Sequence, residues 1–249
     1  MGENSHAEGY ATNAVGKGSH CEGGYSTSVS DLYTRAVGDN SHAEGLCTYA
    51  IGNNSHAEGL STSAKGSESH AEGYKTYAGT RYSHTEGFET CCVYGDYSHA
   101  EGCQTYAGAY GSHVEGTGTS ADGSNSHAEG FKTSAKGSES HAEGYSTYAK
   151  GSESHAEGEH TTAFENNSHA EGYYTTAGNE CSHVQGHYNG NMTTGGSHYN
   201  TDGTAFVIGN GTNMYSSDRS NAFVVEFNGT VRYSGTPQNP NSDYAEFFE

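Results

Sequence analysis

A histidine followed two residues later by a carboxylate is a small donor set. On one face of an extended strand, the imidazole nitrogen and the carboxylate oxygen can pair as ions, share a proton or hold a divalent metal. In this 249-residue sequence that pair is carried by Ser-His-Ala-Glu-Gly, which recurs thirteen times between Ser5 and Gly186. The motif histidines are His6, His20, His42, His56, His70, His84, His99, His113, His127, His141, His155, His169 and His183. Ten of the twelve intervals are 14 residues, one is 15 and one is 22. Ser and Gly are kept in every copy, and the Glu in all but the last, where Gln185 replaces it.

A short fixed period sustained this long predicts a repeat architecture. Within each unit, Thr stands three residues after the motif Gly, as at Thr48, Thr62 and Thr76, and a small residue stands five after it, as at Ala50, Ala64, Ala78 and Cys92. Small residues alternating with larger ones at period two mark strands. Ser and Ala of the motif then share one face, and His and Glu the other. Glycine every few residues argues against helix, where each would cost about 1 kcal/mol. The expected fold is all-β: a 14-residue parallel β-roll or solenoid with two short strands and two corners per coil. Only Ser, Ala and Thr fit its narrow interior. Thirteen coils at the usual strand spacing make a rod about 60 Å long.

The bulk composition agrees. There are 37 glycines, no Trp and only two Pro, and large aliphatic residues are scarce. Such a chain has to satisfy its backbone between coils because it cannot bury a large apolar core. A net charge of −20 disfavours nucleic acid as a partner. With no apolar run near 18 residues, insertion into a membrane is not expected. The six cysteines show no metal-type pairing, and Cys21 and Cys92 occupy slots filled elsewhere by Ala, which predicts small apolar filler. Ser26 to Arg35 supplies the eight extra residues of the long interval and is expected to form a surface loop at a corner. The period fails after His187, and Ser197-His198-Tyr199-Asn200 is a broken copy. These features divide the chain into a repeat region, 1–200, and a C-terminal β region, 201–249. In the latter, Asn228-Gly229 between alternating apolar runs predicts a hairpin.

Residues 54–66 display the frame Asn-Ser-x-Ala-x-Gly-x-x-Thr-x-Ala-x-Gly. It resembles the head repeat of trimeric autotransporter adhesins over about residues 2–190. The resemblance implies a left-handed β-roll and a homotrimer, with the two variable motif positions facing the threefold axis. That family places Val and Ile there, where this chain has His and Glu. The segment Asn221 to Gly235, followed by Ser242-Asp243-Tyr244-Ala245-Glu246, resembles the start of the glutamic-type intramolecular-chaperone autoprocessing domain of phage appendages, tailspikes and tail fibres. That resemblance implies a self-cleaved bond between Ser242 and Asp243, promoted by the Glu246 carboxylate. The sequence runs only to Glu249, so the expectation is a partial domain with no enzymatic activity of its own. No paired acids stand out for glycan cleavage.

Three readings of the His–Glu columns stay open. They form a solvated face; or they line a trimer axis as paired layers; or they bind Zn or Ni in threefold rings, with His56, His70, His127, His141, His155 and His169 as ligands and Glu58, Glu72, Glu129, Glu143, Glu157 and Glu171 as axial partners. If pairing prevails over burial, the folded histidine pKa rises above about 6.5. Their stabilisation is then full below the unfolded pKa and is lost as pH rises through the folded one. An interrupted aromatic column (Tyr10, Tyr74, Phe88, Phe131, Tyr145, Tyr173) is expected to pack between coils or chains, or to stack on sugars of a host receptor. The combined expectation is a structural, trimeric fibre or spike segment of a phage tail appendage on the virion. The alternative is an adhesin of a bacterial surface.

Overall fold

Each 14-residue unit folds as one coil of a parallel β-solenoid of about 12 turns. The computed structural model describes residues 1–24, 33–190, 203–215 and 218–233. The motif strands, from His6–Gly9 to His183–His187, build one sheet, and the short strands between them, such as Ser134–Ala135 and Tyr148–Ala149, build a second. Neighbouring coils pair in parallel with like residues opposite: His127 faces His141, Ala128 faces Ala142 and Glu129 faces Glu143. Backbone donors reach into the next coil, as in His127 N–H to Ser140 O (2.9 Å), Ser134 N–H to Thr147 O (2.9 Å) and Lys136 N–H to Ala149 O (2.8 Å). Among the described residues no helix is long and apolar enough to cross a membrane.

The interior is mostly the small-residue one composition predicts, but the expectation that only Ser, Ala and Thr fit is corrected: Val114 and Val184 occupy motif-alanine slots, and Asn179 and Asn189 are buried too. Motif alanines from Ala43 on, and the second alanine column from Ala14 to Ala177, are fully buried. Cys21 and Cys92 fill alanine slots at 0 % exposure, and Thr34, Thr48 and Thr62 are equally buried. The motif serine is more than filler. Its Oγ donates to the carbonyl three residues earlier, as in Ser140 to Gly137 (2.7 Å) and Ser154 to Gly151 (2.6 Å), fastening each corner.

Both irregular intervals preserve register. Thr34–Ala36 pairs with Thr12–Ala14, so Thr34 and Arg35 belong to a strand and not to the expected loop; their alternation continues the small-residue column. Residues 25–32 lie outside the described residues. The 15-residue interval adds its residue at the corner after Cys92, where Tyr94 stands 78 % exposed while His84 still faces His99. The broken copy at 197–200 also lies outside the described residues.

Beyond Gly186 the same sheet continues. Thr204–Asn210 pairs in parallel with His183–His187, setting Phe206 opposite His183, Val207 opposite Val184 and Ile208 opposite Gln185. Asn221–Glu226 and Val231–Tyr233 then add antiparallel strands, joined by the expected turn at Asn228-Gly229.

Candidate functional site

Strand alternation turns every motif Ser and Ala inward and leaves every His and Glu on the outer face of the motif sheet. Because the register has no slip, the imidazoles stack into one continuous ladder. From His20 to His183, successive ring centroids lie 4.5–4.8 Å apart with planes within 23° of parallel. A second ladder of carboxylates runs beside it. In most coils the His Nε2 lies 3.6–4.0 Å from the Glu Oε2 of the same coil, beyond hydrogen-bond length. Toward the C-terminal end each Glu also reaches forward: Glu157 Oε1 lies 3.9 Å from His169 Nε2, and Glu171 Oε1 lies 3.7 Å from His183 Nε2. A trough of about 850 Å³ follows the carboxylates from Glu129 to Glu171 and Gln185, ending on Ile208.

The side chains are about one-third exposed, yet the Nε2 atoms of His56, His70, His127, His141, His155, His169 and His183 are shielded from water and make no hydrogen bond. Burial outweighs pairing. It lowers the pKa of His42, His70, His99, His127 and His169, and the adjacent imidazoles lower it further, against a smaller upward pull from the glutamates. The condition set for raised values, pairing stronger than burial, is therefore not met at these five histidines. A ladder at 4.8 Å spacing puts each histidine between two others, so protonating one opposes protonating its neighbours.

The predicted site residues are brought together along the coil stack of a single chain. Among the described residues, four groups place ligand atoms within 4.8 Å of one another: His42–Glu44–His56, His141–Glu143–His155, His169–Glu171–His183, and Glu115–His127–Glu129. His70, Glu58, Glu72 and Glu157 stand in the same ladder but in none of these groups. The sequence periodicity signalled the shared face; it did not signal His183, whose coil carries Gln185 instead of Glu. Ser242, Asp243 and Glu246 lie outside the described residues.

The aromatic column packs between coils. Tyr74 stacks on Phe88 at 5.0 Å and Phe131 on Tyr145 at 5.1 Å. Lys75 and Lys132 sit over Tyr74 and Phe131. Comparison with known proteins adds no identity: no protein-family model and no curated protein matches the chain.

Proposed function

We propose that this chain is a structural segment of a homotrimeric fibre or spike, a phage tail or appendage rod that holds a receptor-binding part away from the virion. The solenoid supplies the stiff element. One observation carries the assignment of its outer motif face to the trimer axis. The two face positions occupied by His and Glu through the coils become Phe206 and Ile208 in the strand that follows, in unbroken register. Phe206 then meets Phe223, and Phe223 meets Tyr233, at centroid distances of 6.0 and 5.3 Å. A half-buried apolar patch continuing one face of a polar ladder requires cover, and cover by two further copies of the same face closes it with threefold symmetry. Around such an axis each layer holds three His and three Glu, one of each from every chain, giving the water-shielded Nε2 atoms of the coils up to His155 partners that one chain lacks. Its partners are thus two copies of itself and, at the presented end, a host surface glycan or receptor.

The test is a photoreactive benzophenone residue placed at 143 on the motif face or at exposed position 136, directly after the second-sheet strand Ser134–Ala135. The reading expects chain-to-chain cross-links up to a trimer from position 143 and none from 136. Cross-links from 136 alone would place the interface on the other sheet and refute it.

A further inference from the structure

The last two coils of the ladder differ from the rest. Gln185 removes the carboxylate that would accompany His183, and His183 is flanked by a histidine on one side only, with Phe206 edge-on at 5.4 Å and 77° on the other. Glu171 is shared, as Glu157 is one coil earlier, but here it is the one carboxylate beside His183 among the described residues: its Oε2 lies 4.0 Å from His169 Nε2 and its Oε1 3.7 Å from His183 Nε2. The two rings form the tightest stack of the ladder, 4.5 Å apart at 8°. Both Nε2 atoms are shielded from water and make no hydrogen bond. All three side chains are partly exposed beside the trough that ends on Ile208, so an ion has a way in.

We propose that His169, Glu171 and His183 form a binding site for one divalent transition-metal ion, bridging two successive coils of a single chain. Two imidazole nitrogens and one carboxylate oxygen are the donors that zinc and nickel favour, whereas magnesium and calcium prefer oxygen alone. Ligands held about 2.0–2.2 Å from one tetrahedral ion lie about 3.4 Å from each other. The 4.0 and 3.7 Å N···O distances run to different oxygens of Glu171, so the carboxylate also turns to bring one oxygen toward both nitrogens. The two nitrogens, within 4.8 Å, close the remaining gap by tilting half-exposed rings toward each other. Three protein donors leave one coordination position for water or for an incoming ligand. The ion replaces the missing hydrogen bonds of both nitrogens and neutralises part of a carboxylate row. This site differs from a threefold ring because every ligand comes from one chain. It stands or falls separately from the trimer.

The experiment uses the full chain, stripped with chelator and dialysed, with Co²⁺ and Zn²⁺ as probes. Wild type, Glu171→Gln and His183→Gln are compared after circular dichroism confirms folding. The proposal expects visible Co²⁺ absorption of a low-coordinate nitrogen–oxygen site in wild type, diminished in both variants by the share of one site per chain. It also expects one fewer bound Zn²⁺ per chain in each variant. Unchanged cobalt absorption and zinc stoichiometry in both variants would overturn it. The same result in wild type at a protein concentration where chains are monomeric keeps the site within one chain; its loss there would overturn the single-chain assignment.

Discussion

Two glycines in one coil separate the demands the solenoid makes on its backbone. Gly116 has φ +107° and Gly118 φ +65°, so a general rule about positive φ treats them alike. Their surroundings differ. A Cβ on Gly116 would collide with the carbonyl oxygen of Gly130 in the next coil and come within 2.9 Å of its nitrogen and 3.0 Å of its carbonyl carbon. A Cβ on Gly118 would meet only Lys132 Cγ, at 3.6 Å. For Gly116→Ala the backbone strain costs about 1–3 kcal/mol, and separating two coils against their own hydrogen bonds costs about 1–3 kcal/mol more. The expected loss is thus about 2–6 kcal/mol. For Gly118→Ala the left-handed conformation costs about 1–2 kcal/mol, offset by about 0.4–1 kcal/mol from a less flexible unfolded chain, leaving between about 0 and about 1.6 kcal/mol. The corner itself accepts a side chain, since Ala11 holds the same position at φ 56° and Lys132 at φ 55°. Urea unfolding followed by circular dichroism, at fixed protein concentration, measures both. Gly116→Ala is also expected to split the transition, because coils on either side of the break become separate cooperative blocks. Equal midpoints for the two variants would refute the claim that coil-to-coil contact, and not φ alone, fixes the motif glycine.

Three further outcomes follow from the same geometry. Acid destabilises the chain: the folded pKa values of His70 and His99 are depressed by burial and then by His56 and His84, or His84 and His113, against Glu58, Glu86 and Glu101. The unfolded chain therefore binds protons first, and stability that is full above the unfolded pKa of about 6.5 is lost as pH falls below it; a melting temperature that rises from about pH 8 to about pH 6 would contradict this. Ala128→Val costs about 1 kcal/mol or less because Val114 already occupies the neighbouring slot, whereas Ala135→Val, in a column holding nothing larger than Cys92, costs about 1–3 kcal/mol, as unfolding midpoints will show. In thiol labelling, exposed Cys181 reacts in the folded protein, while Cys92, buried and with its pKa pushed up to about 12, reacts only on unfolding.

Much of this architecture was legible in residue spacing. Period two within the motif sets Ser and Ala inside and His and Glu outside, and period 14 forces like to stack on like. The role of Ser140 in fastening its corner was not legible, because a small buried residue and a hydrogen-bonding one look the same in a column. Nor were the left-handed corners visible: Glu68, Lys75, Tyr82 and Glu89 carry φ of 53–58° although their residue types give no sign of it, since tight coil-to-coil hydrogen bonding overrides their preference. The direction of the histidine pKa shift was left undecided by the sequence because it shows the Glu partner at once, whereas the desolvating stack of neighbouring imidazoles exists only after coiling. The forward reach of Glu171 to His183 likewise depends on side-chain geometry between coils, which spacing alone does not define.

Native mass spectrometry of the purified chain tests the central claim most directly. Assembly through the motif face predicts a dominant species at three times the 26.1 kDa chain mass, and its dissociation when Phe206 and Ile208 are both replaced by Lys. A monomer under the same conditions, or a trimer unmoved by those substitutions, would contradict the assignment of the His–Glu face and its apolar end to a threefold axis.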